Sequence, residues 1–335
     1  VGGRRTNLTL LVVLGAALAS GTVAYALGAA SGRAVVIAHG AAGLGLVVLS
    51  PWKAALSGRS LRRRSRGRAP SLALAALVVT TVVSGLAHSA GVRRLPVVAT
   101  AMHLHVGAAL AAIPLAAWHV AARPVRARRA DVSRRDLLRA GGVAAGAGVL
   151  WLAGEAAHRA LGLRGAERRF TGSHAEGTDD PVAMPVIQWL TDDVQRLDAG
   201  AWRLDVVDGT RRTLDLDGLR GLGADEVRAT LDCTSGWYAT QTWRGVRLDR
   251  LLAPGAADRS LVVASVTGYA RRFPLRDLDR LWLADGYAGV PLAAAHGAPV
   301  RLVAPGRRGF WWVKWVTQVR LDDVPWWRQP PFPLQ

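Results

Sequence analysis

The chain has 335 residues, enough for two domains; half of them are hydrophobic, and the formal net charge is +19. From Gly162 to Gln335 Lys and Arg nearly balance Asp and Glu. The excess therefore sits in short basic segments between apolar runs, which excludes nucleic acid as the partner, and a single cysteine excludes a disulfide framework.

Taken in order, the apolar runs Leu8–Ala30, Ala34–Ser50, Ser71–His88, Pro96–Ala122 and Leu137–Leu161 are near the roughly 20 residues a helix needs to cross a bilayer. They predict an all-α transmembrane bundle of four spans over residues 1–130, then a fifth, anchoring helix within 131–161. The second run is short, and the fifth is Gly-rich and contains Glu155. Arg4 and Arg5 precede the first run; Lys53, Arg59, Arg62, Arg63, Arg64, Arg66 and Arg68 follow the second; Arg123, Arg126, Arg128, Arg129, Arg134, Arg135 and Arg139 follow the fourth. The alternate connections hold only Arg33, Arg93 and Arg94, so the positive-inside rule makes this a multi-pass protein of the cytoplasmic membrane with residues 162–335 on the extracytoplasmic side. Membrane lipid is then its first partner.

Ser133-Arg134-Arg135-Asp136-Leu137-Leu138-Arg139, ahead of a weakly hydrophobic stretch, resembles a twin-arginine export signal, which carries proteins that fold and take up cofactor before export. The alternative is one more basic flank.

His39, His88, His103, His105 and His119 fall in or beside the second to fourth runs. Ionisable residues at membrane depth mark function, and paired histidines facing a bundle interior are ligands of b-type haem. At 100° per residue His105 and His119 share a helix face and His103 points the other way. His39 and His105, at similar depth, form the preferred axial pair; His88, at the outer edge, substitutes for either; His119, near the inner face, has no histidine at its depth. Helix-to-helix hydrogen bonding without metal is the alternative.

Beyond residue 162, alternation at Trp202–Val207, Val227–Cys233, Leu261–Val266, Val300–Val303 and Val313–Leu321 predicts strands of an α+β domain, with a short helix at Leu248–Leu252. No Gly-rich nucleotide loop and no zinc spacing follows any of them. Cys233 ends the second strand at a polar turn, Asp232-Cys233-Thr234-Ser235-Gly236-Trp237, which places a thiol in a cleft; a lone cysteine elsewhere is a small core residue.

Four ordered blocks extend this: the strand-end Cys233; Trp243-Arg244-Gly245-Val246-Arg247-Leu248; Gly268-Tyr269 before Phe273-Pro274-Leu275; and His296 to Gly306 followed by Gly309 and Val313-Lys314-Trp315. From about Phe170 to Leu321 the chain resembles the sulfite oxidase family of molybdopterin-dependent oxidoreductases, which includes periplasmic methionine-sulfoxide reductase catalytic subunits. The resemblance implies Cys233 as molybdenum ligand beside a single pterin, held by His296, Arg301 and Lys314 with the backbone of Trp312 and Val313. Phe170, Thr171, Ser173 and His174 stand where the family's N-terminal loop touches the cofactor. Tyr269 matches the tyrosine lining the substrate pocket. Where sulfite oxidases place an arginine after the metal-binding cysteine this chain has Trp237 and Tyr238, with Arg271 and Arg272 as compensating charge or as solvated residues.

The resulting expectation is a membrane-anchored oxygen-atom-transfer enzyme, exchanging electrons with the quinone/quinol pool through bundle haem b and acting on a small-molecule or protein-bound substrate, with sulfoxide reduction favoured over sulfite-type oxidation. A non-enzymatic binding module and a membrane cytochrome with a degenerate domain are the competing readings.

Overall fold

The computed structural model describes residues 2–61, 68–92, 100–125, 133–188 and 192–332. Arg62, Arg63, Arg64, Arg66, Arg93, Arg94, Arg126, Arg128, Arg129 and the start of the predicted fourth span at Pro96 lie outside them. The chain divides into a helical unit, Val1–Tyr25 with Ala30–His174, and a sheet unit, Ala26–Ala29 with Ala175–Gln335.

The helical unit contains α1 (Gly2–Ala26), α2 (Arg33–Leu61), α3 (Arg68–Ser89), α4 (Ala101–Ala122) and α5 (Arg134–Ala160). All five are long and apolar enough to cross a membrane. α2 outruns the predicted second span because Pro51 fails to end it. Proline removes the N–H that would bond the Val47 carbonyl, and the Ser50 hydroxyl donates to that carbonyl instead at 2.8 Å. α4 begins at Thr100, whose side chain accepts from the His103 amide at 3.1 Å.

The chief helix pairs are α3 with α4 and α2 with α5. Their close approach depends on glycine: a Cβ on Gly40 of α2 would fall 2.0 Å from the Trp151 ring of α5. Glu155, the carboxylate in the fifth helix, is paired with Arg168, so no uncompensated charge remains there. The unit extends beyond Gly162, the expected boundary, because the following segment packs on the end of α3. His88 Nε2 donates to the Gly172 carbonyl at 3.0 Å, and His174 Nε2 to the His88 carbonyl at 2.7 Å.

The sheet unit has two sheets. In the first, β4 (Asp225–Cys233) and β5 (Trp237–Arg247) form an antiparallel hairpin; β5 also pairs with β8 (Trp282–Tyr287), which pairs with β10 (Arg301–Val303). β1 (His174–Ala175) lies beside β5 and β9 (Val290–Pro291) beside β8. The second runs β3 (Arg211–Leu214), β2 (Leu204–Val207), β11 (Val316–Asp322), β6 (Ser260–Ser265), β7 (Ala270–Phe273), with only β2 and β11 parallel. Trp243, Leu283 and Leu302 of the first sheet and Leu204, Val263 and Val319 of the second belong to one hydrophobic core.

The five predicted strands are all present with shifted ends, as β2, β4, β6, β10 and β11. Leu248–Leu252 forms only a 3-10 turn, Leu248–Arg250. The longest strand, β5, was not predicted. Its buried face includes Gln241, fully buried with its amide donating to the Gly177 carbonyl, so hydropathy does not alternate where burial does.

At Gly245 the pairing of β5 with β8 shifts register, and a Cβ there would lie 2.4 Å from the Leu283 carbonyl oxygen. Because the obstruction is backbone, Gly245→Ala is expected to destabilise the sheet unit by about 2 kcal/mol, read as a lower denaturation midpoint of the purified chain.

Candidate active site

The β4–β5 hairpin ends in a tight turn: the Gly236 amide bonds the Cys233 carbonyl at 3.1 Å, and Gly236 takes φ +91°, open to glycine at little cost. The turn sets the Cys233 sulfur 3.1 Å from the Ser235 hydroxyl, in the wall of an open cleft. Thr234, Ser265, Thr267, Tyr269, Phe310 and Asp192 line its outer part. A more enclosed continuation is lined by Met184, Pro185, Leu231, Trp237, His296 and Arg301, and both parts share Ile187, Cys233, Gly309, Trp312 and Lys314. A Cβ on Gly309 would fall 3.1 Å from the Cys233 Cα, so this close approach requires glycine.

Arg301 is 1% exposed, and among the described residues it has no carboxylate partner. It donates to the carbonyls of His296 (3.0 Å) and Trp312 (3.4 Å) and lies 5.1 and 5.6 Å from the ring centroids of Trp243 and Trp312. Burial lowers it to about 10, partly opposed by Tyr287 and Cys233. Lys314 donates to the carbonyls of Ala295 (2.8 Å) and Ile187 (3.0 Å) and to Gln188 Oε1 (3.2 Å); burial, then the Arg301 charge, brings it down to about 7. His296 shares a 2.9 Å hydrogen bond between Nδ1 and the Tyr287 hydroxyl, and burial followed by the Arg301 and Lys314 charges lowers it to about 4. The Val313 carbonyl is taken by the Leu302 amide at 2.7 Å.

The cleft thus brings together Cys233, Tyr269, His296, Arg301, Trp312 and Lys314. The Tyr269 hydroxyl donates to the Phe310 carbonyl. Arg271 and Arg272 do not line the cleft, contrary to expectation. Arg271 is buried over the Trp311 ring at 4.3 Å, and Arg272, on the other face of β7, pairs with Asp322 at 2.8 Å. Phe170, Thr171, Ser173 and His174 are part of the helical unit, where His174 is engaged with His88. The segment that lines the sheet-unit cleft is Met184–Gln188, irregular and without periodicity to mark it.

In the helical unit His39 and His105 face each other, ring centroids 5.7 Å apart. Each Nδ1 is bonded to a backbone carbonyl, Ala17 at 2.9 Å and Thr81 at 2.7 Å, and Gly21 and Gly85 lie against the two rings. His88 Nε2 is bonded to the Gly172 carbonyl, and its Nδ1 is buried without a hydrogen-bond partner among the described residues. His119 faces Ser71 at 3.4 Å.

Residues 191–328 match the family model described as oxidoreductase molybdopterin binding domain. The sheet unit is a molybdopterin-binding oxidoreductase domain. It is 33% identical over 132 residues to the protein-methionine-sulfoxide reductase catalytic subunit of Xanthomonas campestris pv. campestris, covering 33% of this chain and 41% of that protein. It is 31% identical over 167 residues to mitochondrial sulfite oxidase of Rattus norvegicus, covering 39% of this chain and 31% of that protein. The chain therefore spans less than half the length of these relatives. Among solved structures, the sulfane dehydrogenase SoxCD of Paracoccus pantotrophus aligns at a TM-score of 0.38 and 24% identity, covering 39% of this chain and 40% of that one.

The donor set of the molybdopterin domain fits its cofactor. Arg301 Nε and Trp237 Nε1 are buried donors without a hydrogen-bond partner among the described residues, and both residues line the enclosed part of the cleft beside Cys233 and His296. Orphaned donors are costly unless a ligand accepts from them, and a soft thiolate suits molybdenum.

A Lys314 held near 7 binds its proton less tightly in the folded protein than in the unfolded chain, whose lysine keeps its ordinary value. The penalty is complete below pH 7 and is relieved as pH rises through the window above it, so cofactor-free protein gains up to about 1 kcal/mol of stability per pH unit between pH 7 and 9. Lys314→Met is expected to remove that slope in denaturation curves taken across this range.

Proposed function

We propose that this protein is a membrane-anchored oxygen-atom-transfer oxidoreductase that reduces an uncharged sulfoxide-type substrate outside the cytoplasmic membrane, with electrons drawn from the quinone pool through haem b in the helical unit. The observation that carries the reading is the convergence beside Cys233 of two buried donors without partners, Arg301 Nε and Trp237 Nε1, with the His296 ring in the same lining. In this reading the Cys233 thiolate would bind molybdenum, and His296, Arg301 and Lys314 would hold the pterin and its anionic group. The bound group supplies the two-electron chemistry of oxygen transfer.

The protein's part is binding, orientation and charge. Lys314, only about half protonated near pH 7 without an anion, would be held in its charged form by the cofactor's anionic group. Gly309 and Phe310 wall one side of the sulfur, and the Tyr269 hydroxyl, anchored on the Phe310 carbonyl, fixes the aromatic rim. The outer cleft favours a sulfoxide over a sulfite anion. Arg271 and Arg272 are turned away from it, Arg308 is paired with Asp232, and Asp192 adds negative charge to the lining.

Support for the membrane and haem parts comes from the helical unit. Val12, Leu138 and Leu152 are about two-thirds exposed or more on helices of spanning length, as lipid-facing residues are. The basic clusters orient the spans. His39 and His105 hold their Nδ1 atoms on backbone carbonyls, the arrangement that fixes imidazoles as metal ligands.

The test uses the full chain purified in detergent. Wild type is expected to hold about one molybdenum per domain, a haem absorption band, and sulfoxide reduction with an artificial electron donor. Cys233→Ser is expected to lose molybdenum and all measurable turnover and to melt as cofactor-free wild type does. His105→Ala is expected to lose the haem band and keep molybdenum. Haem reduction by sulfite with no turnover of any sulfoxide would overturn the substrate assignment, and a chain without either metal would overturn the redox reading.

A further inference from the structure

We propose that Asp232 and Arg308 form a buried clamp that positions Cys233, tying the metal-binding sulfur to the loop that builds both ends of the cleft. This rests on the reading of Cys233 as molybdenum ligand, but neither Asp232 nor Arg308 lines the cleft. They act, in this account, only through the residue between them.

Successive residues of a strand point to opposite faces, so where the Cys233 side chain enters the cleft the Asp232 carboxylate is directed to the other side. There it is 1% exposed and meets Arg308, 4% exposed, in an ion pair. Three links join the same short stretch of the hairpin to the 306–312 loop. Arg308 Nη1 donates to Asp232 Oδ1, Arg308 Nη2 donates to the Cys233 carbonyl at 3.3 Å, and the backbones of Asp232 and Arg308 form an isolated parallel bridge. Gly309, next in the loop, lies so close to the Cys233 Cα that no side chain would fit between them.

A buried ion pair is a poor way to gain stability, since desolvating both charges consumes most of what their attraction returns and an apolar pair fills the space as well. Its distinctive yield is geometry. The planar guanidinium has donors at fixed angles, and here one fork spans the side chain of Asp232 and the carbonyl of Cys233. The same loop carries the Phe310 carbonyl that receives the Tyr269 hydroxyl and the Trp312 carbonyl that receives Arg301. A shift of Arg308 therefore moves the sulfur relative to the substrate rim and to the buried cation together.

The experiment compares full-length, molybdenum-supplemented wild type with Arg308→Lys and with the charge-free double variant Asp232→Leu/Arg308→Met. It reads melting temperature, molybdenum content, the electron paramagnetic resonance g-values of the molybdenum(V) form, and kcat and KM separately. Arg308→Lys keeps the charge and loses the fork. It is expected to melt close to wild type, to show shifted g-values or reduced molybdenum content, and to lower kcat about tenfold with KM little changed. The double variant removes both charges of the pair together, so it is expected to fold and to show the same spectral shift. Variants whose folded fraction has wild-type metal content, g-values and kcat would overturn the clamp, even with a lowered melting temperature, because the pair would then serve stability alone. Wild type lacking molybdenum overturns the parent reading, and the clamp with it, before any variant is compared.

Discussion

The sheet unit is arranged around a guanidinium that has no carboxylate to meet. Arg301 is 1% exposed, lies against the rings of Trp243 and Trp312, and spends its hydrogen bonds on two backbone carbonyls, with Nε left over. A cation taken this far from water is costly unless something anionic joins it. Its neighbours register the same field: Lys314 is brought to about 7 and His296 to about 4, with Arg301 contributing to each shift after burial. The positively charged inner end of the cleft is thus a prepared deficit, which an anionic cofactor anchored also on Cys233, as proposed, would remove.

Much of this was legible in the sequence, and the legible part has a pattern. Residues inside short motifs were found: Cys233 at its strand end, His296 to Arg301 around the glycine turn, and Lys314 beside Trp315 all line the cleft or meet its lining. Gly297, at φ +107° with its Cα between Arg301 and Lys314, shows why that block is so constrained: a Cβ there would lie 3.0 Å from the Arg301 Cβ and 3.1 Å from the Lys314 Cβ. Residues whose role depends on distant chain crossings were not legible. Asp232 and Arg308 meet across 76 positions, and nothing local marks either as one half of a pair. Met184–Gln188 is irregular, so neither period reveals it.

Two groups of residues are engaged away from the cleft lining, for physical reasons of different kinds. Arg271 and Arg272 follow Tyr269 closely, but β7 alternation sends one onto the Trp311 ring and the other to Asp322. Proximity in sequence to a cleft residue does not imply the cleft within a strand. Phe170 to His174 were placed by resemblance, whereas His174 and His88 bond each other's segments at the end of α3. In the helical unit hydropathy located all five helices but misjudged where α2 ends, since Ser50 compensates for the donor that Pro51 removes.

The central claim is that Arg301 awaits an anionic cofactor, and the most direct measurement is the melting temperature of the full chain with and without molybdenum cofactor, in wild type and in Arg301→Met. The account predicts that cofactor raises the wild-type melting temperature strongly, and that Arg301→Met melts at or above cofactor-free wild type but gains little from cofactor supply. Equal cofactor stabilisation in both proteins, or none in wild type, would contradict it.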